Sequence, residues 1–537
     1  MNKFWKSGDP FIWLTGVALM FSLLMIAGLM YLITAKGLGF FWPSNLAEIK
    51  LRDGSVLLGE ITGQEKVKAH DPDGQDMTIE RTQLKIGNRD LYGLDFRWVD
   101  DTNIENISYP QYAVALERRE WGNMYGFIKQ ISESGNVLCT GNESCWAVLE
   151  SQIPVYSKIY EEIKGIEKGV IGGINRQIEN LRLKIRGERM GSGNEDRIKE
   201  LEAKISEQEA IYQEQEKKLT ELYAEFDKEK IVMTSVDGRD KEMPLGNIVR
   251  AYRPNSMSWF QKAGLYASKL WEFVSDEPRE ANTEGGVFPA IFGTILMVLI
   301  MSVVVLPFGV LAALYLREYA KQGTLVRIVR ICVNNLAGVP SIVFGVFGLG
   351  FFVYFVGGGI DRLFFPESLP APTFGTGGIL WASLTLALLT VPVVIVAAEE
   401  ALAAVPRSMR EASLATGATK FQTIVRVVLP AAAPGIMTGL ILAMARGAGE
   451  VAPLMLTGVV KLAPDLPLDG TFPYFHLERK FMHLGFHVYD VGFQSPNVEA
   501  ATPMVFTTTM FLLAIVLVLN VTAIAVRNRL RRRTSAF

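Results

Sequence analysis

The chain has 537 residues, 49% of them hydrophobic and 20% charged, with a mean hydropathy of +0.21. That is too apolar for a purely soluble protein and too charged for a bare bundle of membrane spans, so the charge must be unevenly placed. A formal net charge of −2 gives no basic excess of the kind a nucleic-acid partner needs.

The first predicted element is the uncharged run Pro10 to Ala35, long enough to cross a bilayer core. It follows Lys3 and Lys6, but its apolar run exceeds that of a signal peptide and no small-residue cleavage site follows. It reads as an uncleaved anchor, with a cleaved signal peptide as the alternative. Residues 36–284 then read as a soluble insertion. Ile49-Lys50-Leu51-Arg52 alternates, Asp53-Gly54 turns and Val56–Ile61 continues, a hairpin signal. Leu91–Val99, Tyr112–Leu116, Ile231–Val236 and Ile248–Tyr252 also look like strands, making residues 45–150 and 231–254 β-rich.

Between them, 155–230 changes character. Ile174, Ile178, Leu181 and Ile185 follow heptad spacing, as do Ile198, Leu201, Ile205, Tyr212, Leu219, Leu222 and Phe226, with Gln208 and Gln215 in polar slots. Gly187–Asp196 separates the two runs. The pattern predicts an antiparallel coiled-coil hairpin with arms of roughly 35 residues, about 50 Å long. It reads as a spacer or strut, the alternative being a docking arm for a partner. Residues 258–274 carry Trp259, Ala263, Tyr266, Leu270 and Val274 at helical spacing: an amphipathic helix at the membrane interface, or a core helix of the insertion.

Residues 285–526 form the apolar core. Spans are predicted at Gly285–Leu316, Ile331–Ile360, Ser368–Ala398, Val427–Val460 and Ala500–Val526, giving six in all with the anchor. Pro340 and Pro392 interrupt two of them, with a kink or no effect as the alternatives. The basic residues of the short loops fall on one side: Lys3, Lys6, Arg317, Lys321, Arg327, Arg330, Arg407, Arg410, Lys420, Arg426, and Arg527, Arg529, Arg531, Arg532 and Arg533 of the tail 527–537. The other side has Arg362, Lys461, Arg479 and Lys480. This asymmetry puts both termini in the cytoplasm and residues 36–284 outside.

The dipeptide Gly-Lys never occurs, so the chain lacks a P-loop and any ATP-driven work needs another chain. Four histidines, His70, His476, His483 and His487, make no zinc spacing; the last three read as surface or loop-packing residues with no acidic set around them. No nucleophile–base set implies an enzyme, and no cofactor or metal is expected. Cys139 and Cys145 either pair in an oxidising compartment or stay free thiols. Cys332 reads as packing.

The loop 399–430 carries Glu411-Ala412-Ser413, then Gly417, then Val427-Val428-Leu429-Pro430. This resembles the EAA coupling loop of ABC-importer permeases, in which E-A-A, three residues, Gly and nine residues precede I-x-L-P. Ser413 and Val427 depart from the pattern conservatively. A short helix with small residues on one side fits a cleft of another protein, Gly417 permits a left-handed helix end, and Pro430 would start the next helix. An ordinary basic loop is the alternative.

Asn334–Gly345, Tyr315-Leu316-Arg317-Glu318-Tyr319, and Gly439–Leu454 with Arg446, Glu450 and Pro453 are similar to the PstA family of phosphate-transport permeases, over roughly residues 280–530. The long insertion resembles that of extended members. The resemblance implies an α-helical integral membrane protein of the type I ABC-importer permease fold, with six spans and a periplasmic α+β domain bearing the coiled-coil hairpin. It implies a bacterial inner membrane, a PstC-like second permease, a PstB-like ATPase dimer and a PstS-like periplasmic phosphate-binding protein. A permease for sulfate or molybdate is the nearest alternative, and a membrane-anchored scaffold or signalling protein a more distant one.

Arg446 and Glu450 sit four apart in an otherwise uncharged span, where a charge costs at least about 2.5 kcal/mol. Either Arg446 meets the anion in transit while Glu450 orients it, or the two neutralise each other at a subunit interface. Gly447 and Gly449 would allow close approach of an anion or a helix.

Overall fold

The computed structural model describes residues 8–70, 76–191, 193–470, 472–495 and 498–534. Lys3 and Lys6, part of the orientation signal, lie outside them. The chain divides into two compact units: Phe41–Phe273 with Pro278–Gly286 form one, and the flanking chain together with Val274–Glu277 forms the other.

In the first unit, strands β1 (Leu46–Leu51), β2 (Val56–His70), β3 (Asp76–Lys85), β4 (Phe96–Asp100) and β5 (Ile104–Ser108) form an antiparallel sheet in the order β4-β3-β2-β1-β5. The β1–β2 register pairs Lys50 with Val56 across the Asp53-Gly54 turn, where the Asp53 carboxylate accepts the Ser55 N–H at 2.8 Å. Alternation puts Ala47, Ile49, Leu51, Leu84 and Val99 into one core. A second sheet holds β6 (Val114–Arg118), β7 (Asn123–Glu133), β8 (Asn136–Thr140), β9 (Glu229–Thr234), β10 (Asp240–Pro244) and β11 (Ile248–Tyr252), in the order β10-β9-β7-β6-β11 with β8 also on β7. The run Leu91–Val99 is only half strand: Arg89–Tyr92 is a helical turn, and β4 starts at Phe96.

A helical stretch α1, 142–190, leaves this sheet and returns as α2 (Glu195–Phe226). It starts at Asn142, so residues 142–150 are helix and the first arm is longer than the heptads indicate. Its first turns carry Cys145 and Leu149 into the sheet's core rather than onto a helical partner, so no heptad marks them. Ion pairs run in antiparallel register: Arg189 to Glu202 at 3.4 Å, Arg197 to Glu188 at 3.1 Å and Lys218 to Glu162 at 2.7 Å. Along α2 the residues withdrawn from solvent are Ile198, Leu201, Ile205, Gln208, Tyr212, Gln215, Leu219, Leu222 and Phe226, and all others are exposed. The two glutamines thus share the seam. Helix α3 (Trp259–Ser275) turns Lys269, Glu272 and Phe273 toward its own unit, while Trp259, Phe260 and Trp271 remain exposed.

The second unit contains six helices long and apolar enough to cross a membrane, counted among the described residues. In chain order its helices are α4 (Asp9–Gly39), α5 (Phe288–Tyr319), α6 (Thr324–Leu336), α7 (Ser341–Phe364), α8 (Ile379–Ala404), α9 (Arg407–Ala415), α10 (Lys420–Gly449), α11 (Ala452–Thr457), α12 (Leu484–Tyr489) and α13 (Val498–Thr534). Helix α8 is the most buried span and packs against α5 and α10. The α8–α10 crossing is close because Gly435 and Gly439 face Ala401 and Ala397: a methyl on either glycine would lie 2.5 Å from the alanine Cβ.

Three span boundaries differ from the hydropathy reading. Residues 331–360 are not one span: α6 is a separate amphipathic helix, and the chain turns at 337–340 because Pro340 caps the next helix with an extended ψ of 136°. Pro340 therefore separates helices, whereas Pro392 lies buried within α8. Residues 368–378 form a loop before α8, and α10 stops at Gly449, short of Val460. Apolar composition continues through these breaks, so hydropathy alone does not reveal them.

Candidate coupling loop and translocation residues

Helix α9 carries Glu411, Ala412 and Ser413 and has no buried residue. Glu411, Ala412, Leu414 and Ala415 are exposed, so the helix presents small and apolar side chains beside one carboxylate. It ends at Thr416, and Gly417 adopts φ +87°. A Cβ at Gly417 would meet nothing within 4 Å, so the glycine answers to backbone conformation and not to space. Thr419 then caps α10 in a capping box with Gln422.

Ser413 has a role its size does not reveal. Its hydroxyl lies 2.9 Å from that of Thr423, tying α9 to the first turn of α10. Leu429 is half-buried and Pro430 exposed. Pro430 does not start the helix, because α10 begins ten residues earlier at Lys420. A π-helical stretch, Ile424–Val428, immediately precedes it, and that widened ladder accommodates the missing N–H.

Two arginines counted as loop charges are internally paired. Arg410 Nη1 donates to the Val405 carbonyl at 2.7 Å, and Nη2 donates to the Leu402 carbonyl at 2.7 Å and to Glu318 Oε1 at 3.0 Å. Arg330 donates to Glu399 from Nε at 3.1 Å and Nη2 at 3.0 Å, and to Gln322 at 3.1 Å. Lys420 donates to the Glu318 carbonyl and lies over the Tyr319 ring. Sequence reading missed these pairs. Their only signal was Glu318 and Glu399, acids at the ends of apolar runs.

Arg446 lies in the last turn of α10, and Glu450 is that helix's C-cap, with ψ 136°. Their ion pair measures 3.5 Å from Arg446 Nε to Glu450 Oε1, with both side chains partly exposed. The charges thus sit at a helix end, not deep within a span. Gly447 is filled from the other side, since a Cβ there would lie 2.6 Å from the Met301 sulfur, while Gly449 is open.

The loop that follows is ordered by histidines. His476, His483 and His487 are buried, not superficial, and acidic groups do surround the first. His476 Nε2 lies 3.1 Å from Asp469 and Nδ1 3.2 Å from Glu478. His483 Nδ1 accepts the Gly485 N–H at 3.1 Å and so caps α12. Burial pushes the His483 and His487 imidazoles down to about 4, leaving both neutral near pH 7. Lys461 pairs with the buried Asp490 at 3.1 Å. No group of His, Cys, Asp and Glu that could hold a metal occurs among the described residues. In the other unit a disulfide joins Cys139 on β8 to Cys145 on α1; in the span-bearing unit Cys332 is exposed on α6.

A family model described as "Binding-protein-dependent transport system inner membrane component" matches residues 305–536. The phosphate transport system permease protein PstA 1 of Mycobacterium tuberculosis (strain CDC 1551 / Oshkosh) is 40% identical over 172 residues, covering 32% of this chain and 51% of that protein. The chain thus spans about half the length of that relative. The probable ABC transporter permease protein YqgI of Bacillus subtilis (strain 168) is 30% identical over 238 residues, covering 43% of this chain and 74% of that protein. Among solved structures, an inward-facing MetNI methionine ABC transporter matches with a TM-score of 0.33 at 20% identity, covering 45% of this chain and 94% of that one.

Proposed function

Because the chain belongs to the family of binding-protein-dependent transport system inner-membrane components, we propose that it is a permease subunit of an ATP-driven phosphate importer. The observation that carries the coupling part is α9: a short helix with no buried residue, followed by a left-handed Gly417 and anchored through Arg410 and Ser413. A free face of that kind fits a cleft on an ATPase subunit. Its partners on this reading are a PstC-like permease, a PstB-like ATPase dimer and a PstS-like binding protein. The fold is then that of type I importer permeases. Likeness to PstA relatives supports phosphate as the substrate.

ATP-driven closure of the ATPase dimer would push α9, and the spans would turn the pathway outward to receive phosphate. Arg446, at the end of α10, supplies a forked cation to a tetrahedral anion. Glu450 would hold that fork until the anion displaces it. The unit containing β1–β11 and α1–α3 is read as periplasmic, a compartment suited to the Cys139–Cys145 disulfide, with the α1–α2 hairpin as a strut.

The test is uptake of labelled phosphate by the reconstituted four-component complex, with sulfate and molybdate as competitors. Competition by either at equal concentration reassigns the substrate. Absence of a co-purifying ATPase removes the permease reading. Cysteine labelling in intact cells is expected at Gly191→Cys and not at Thr419→Cys; the reverse pattern overturns the orientation.

A further inference from the structure

The covalent link between α8 and the coupling helix α9 is short and extended: Val405 has ψ 124° and Pro406 ψ 140°. A two-residue extended joint interrupts the helical hydrogen-bond ladder, so α9 is not a rigid continuation of α8 even though Val405 itself is buried. A push on α9 would bend the joint before moving α8 unless something bridges across. The α8 helix also ends with carbonyls that lack intrahelical partners.

Arg410, on α9, meets both needs. One guanidinium reaches back over the joint to the Val405 and Leu402 carbonyls, both at 2.7 Å, and across to Glu318 on α5 at 3.0 Å. Neither side chain of the Arg410–Glu318 pair is freely solvated, so water does not readily replace the contacts. The arrangement takes a planar fork; an ammonium is a point donor and cannot span two carbonyls and a carboxylate in this geometry. Next to it, Arg330 of α6 holds Glu399 of α8. The Ser413–Thr423 contact, one turn further along α9, ties it to α10. Helix α9 is thereby cross-linked to α5, α8 and α10.

We propose that Arg410 is the positioning residue that converts motion of α9 into motion of α8 and α5, by stiffening the Val405–Pro406 joint. The proposal rests on the permease reading above. Arg410 touches neither substrate nor nucleotide on this account. Its removal leaves docking of the ATPase intact and lets α9 rock without moving the spans.

The experiment uses the full complex reconstituted in liposomes with its ATPase, second permease and binding protein. Three quantities are read together: ATPase co-purification, ATP hydrolysis and phosphate taken up per ATP hydrolysed. Arg410→Ala is expected to keep co-purification and hydrolysis while lowering uptake per ATP roughly tenfold, since three charge-assisted bonds go. Arg410→Lys, which keeps the charge without the fork, is expected to fall between wild type and Arg410→Ala. Glu318→Gln, which keeps an acceptor, is expected to lose less than either.

A wild-type ratio in Arg410→Ala overturns the proposal. If that variant does not assemble, Arg410→Lys decides: assembly with a lowered ratio supports the proposal, and a wild-type ratio overturns it. Wild-type complex without any ATP-dependent uptake overturns the permease reading, and this proposal with it. Wild-type uptake with unchanged ratios in both arginine variants overturns this proposal alone.

Discussion

The two units use charge in opposite ways. In the sheet-bearing unit, charge is internal cement. Glu117 on β6 is buried and binds Lys269 of α3 at 2.5 Å and Arg250 of β11 at 2.7 Å, while Arg250 also reaches Glu272 at 2.8 Å. Arg118 pairs with Asp90 at 3.0 Å, both buried. In the span-bearing unit the interior is held by close approach of small residues, as at Gly439 against Ala397. Of its ion pairs, Arg410–Glu318 and Arg446–Glu450 lie near helix ends, Arg330–Glu399 joins the middle of α6 to the last turns of α8, and Lys461–Asp490 and Arg479–Asp469 lie in the region between α11 and α13. Ionic groups are costly in hydrocarbon, which confines those of the span-bearing unit to the ends of its spans, to α6 and to loops, where they are candidates for function, whereas the sheet-bearing unit uses them for stability. Changing a charge in one unit should therefore cost stability, and in the other it should cost transport.

The sharpest break would come from Arg446. Arg446→Gln is expected to abolish phosphate uptake with the amount of assembled complex unchanged. Arg446→Lys should leave partial uptake, because charge survives without the fork. If the pair were only mutual neutralisation, the double variant Arg446→Gln with Glu450→Gln would regain uptake, since no unpaired charge remains. Recovery in that double variant sinks the transport role and, with it, this side of the comparison.

Gly417 comes next. At φ +87° a β-branched side chain is strained by roughly 1–2 kcal/mol, although nothing crowds it. Gly417→Val should weaken ATPase binding or lower uptake several-fold, whereas Gly417→Asn, which tolerates the left-handed region, should stay near wild type. Equal behaviour of the two variants would mean that conformation at this position does not matter.

Glu117 tests the other unit. Burial opposes its ionisation, but the Lys269 ammonium and Arg250 guanidinium outweigh that and hold its carboxyl at about 2. A depressed folded value means the stabilisation is present above the unfolded carboxyl range near 4.5 and is lost as pH falls from there toward about 2. The full effect is of the order of 3 kcal/mol. Protease resistance of this unit in the intact chain should decline across that window. Glu117→Gln should lower resistance at pH 7, because the half-buried Lys269 loses this carboxylate and Arg250 keeps only Glu272, and should flatten the decline. Unchanged resistance in the variant would show that the network is not cement.

Much of this architecture was legible in the sequence, for physical reasons. Spans announce themselves by composition over some twenty residues, and a heptad seam repeats often enough to be read: all nine positions from Ile198 to Phe226 are those withdrawn from solvent. Gly417 was legible because a helix end demands a conformation that few residues adopt. What stayed hidden depends on neighbours remote in sequence. Arg410 looked like one more basic residue near the membrane, and its carboxylate partner lies 92 positions away. The break at Pro340 and the end of α10 at Gly449 lie inside continuous apolar sequence. The burial of His476, His483 and His487 follows from an irregular loop without periodicity.

The smallest expected effect belongs to Ser413, where this chain departs from the E-A-A pattern. Its hydroxyl makes one neutral hydrogen bond, to Thr423 at 2.9 Å. Such a bond contributes about 1 kcal/mol net, and truncating one partner leaves the other needing water. Thr423 is itself buried, so Ser413→Ala should cost slightly more than the double change with Thr423→Val, which removes both polar groups. Since Arg410 still spans the Val405–Pro406 joint, uptake per ATP in Ser413→Ala should fall less than twofold, well below the loss from Arg410→Ala. Measuring both ratios in one reconstituted series compares the two anchors of α9. A loss in Ser413→Ala equal to that in Arg410→Ala would mean that the Ser413 hydroxyl carries as much of the transmission as the Arg410 guanidinium, and charge would then no longer be what distinguishes the anchors of α9.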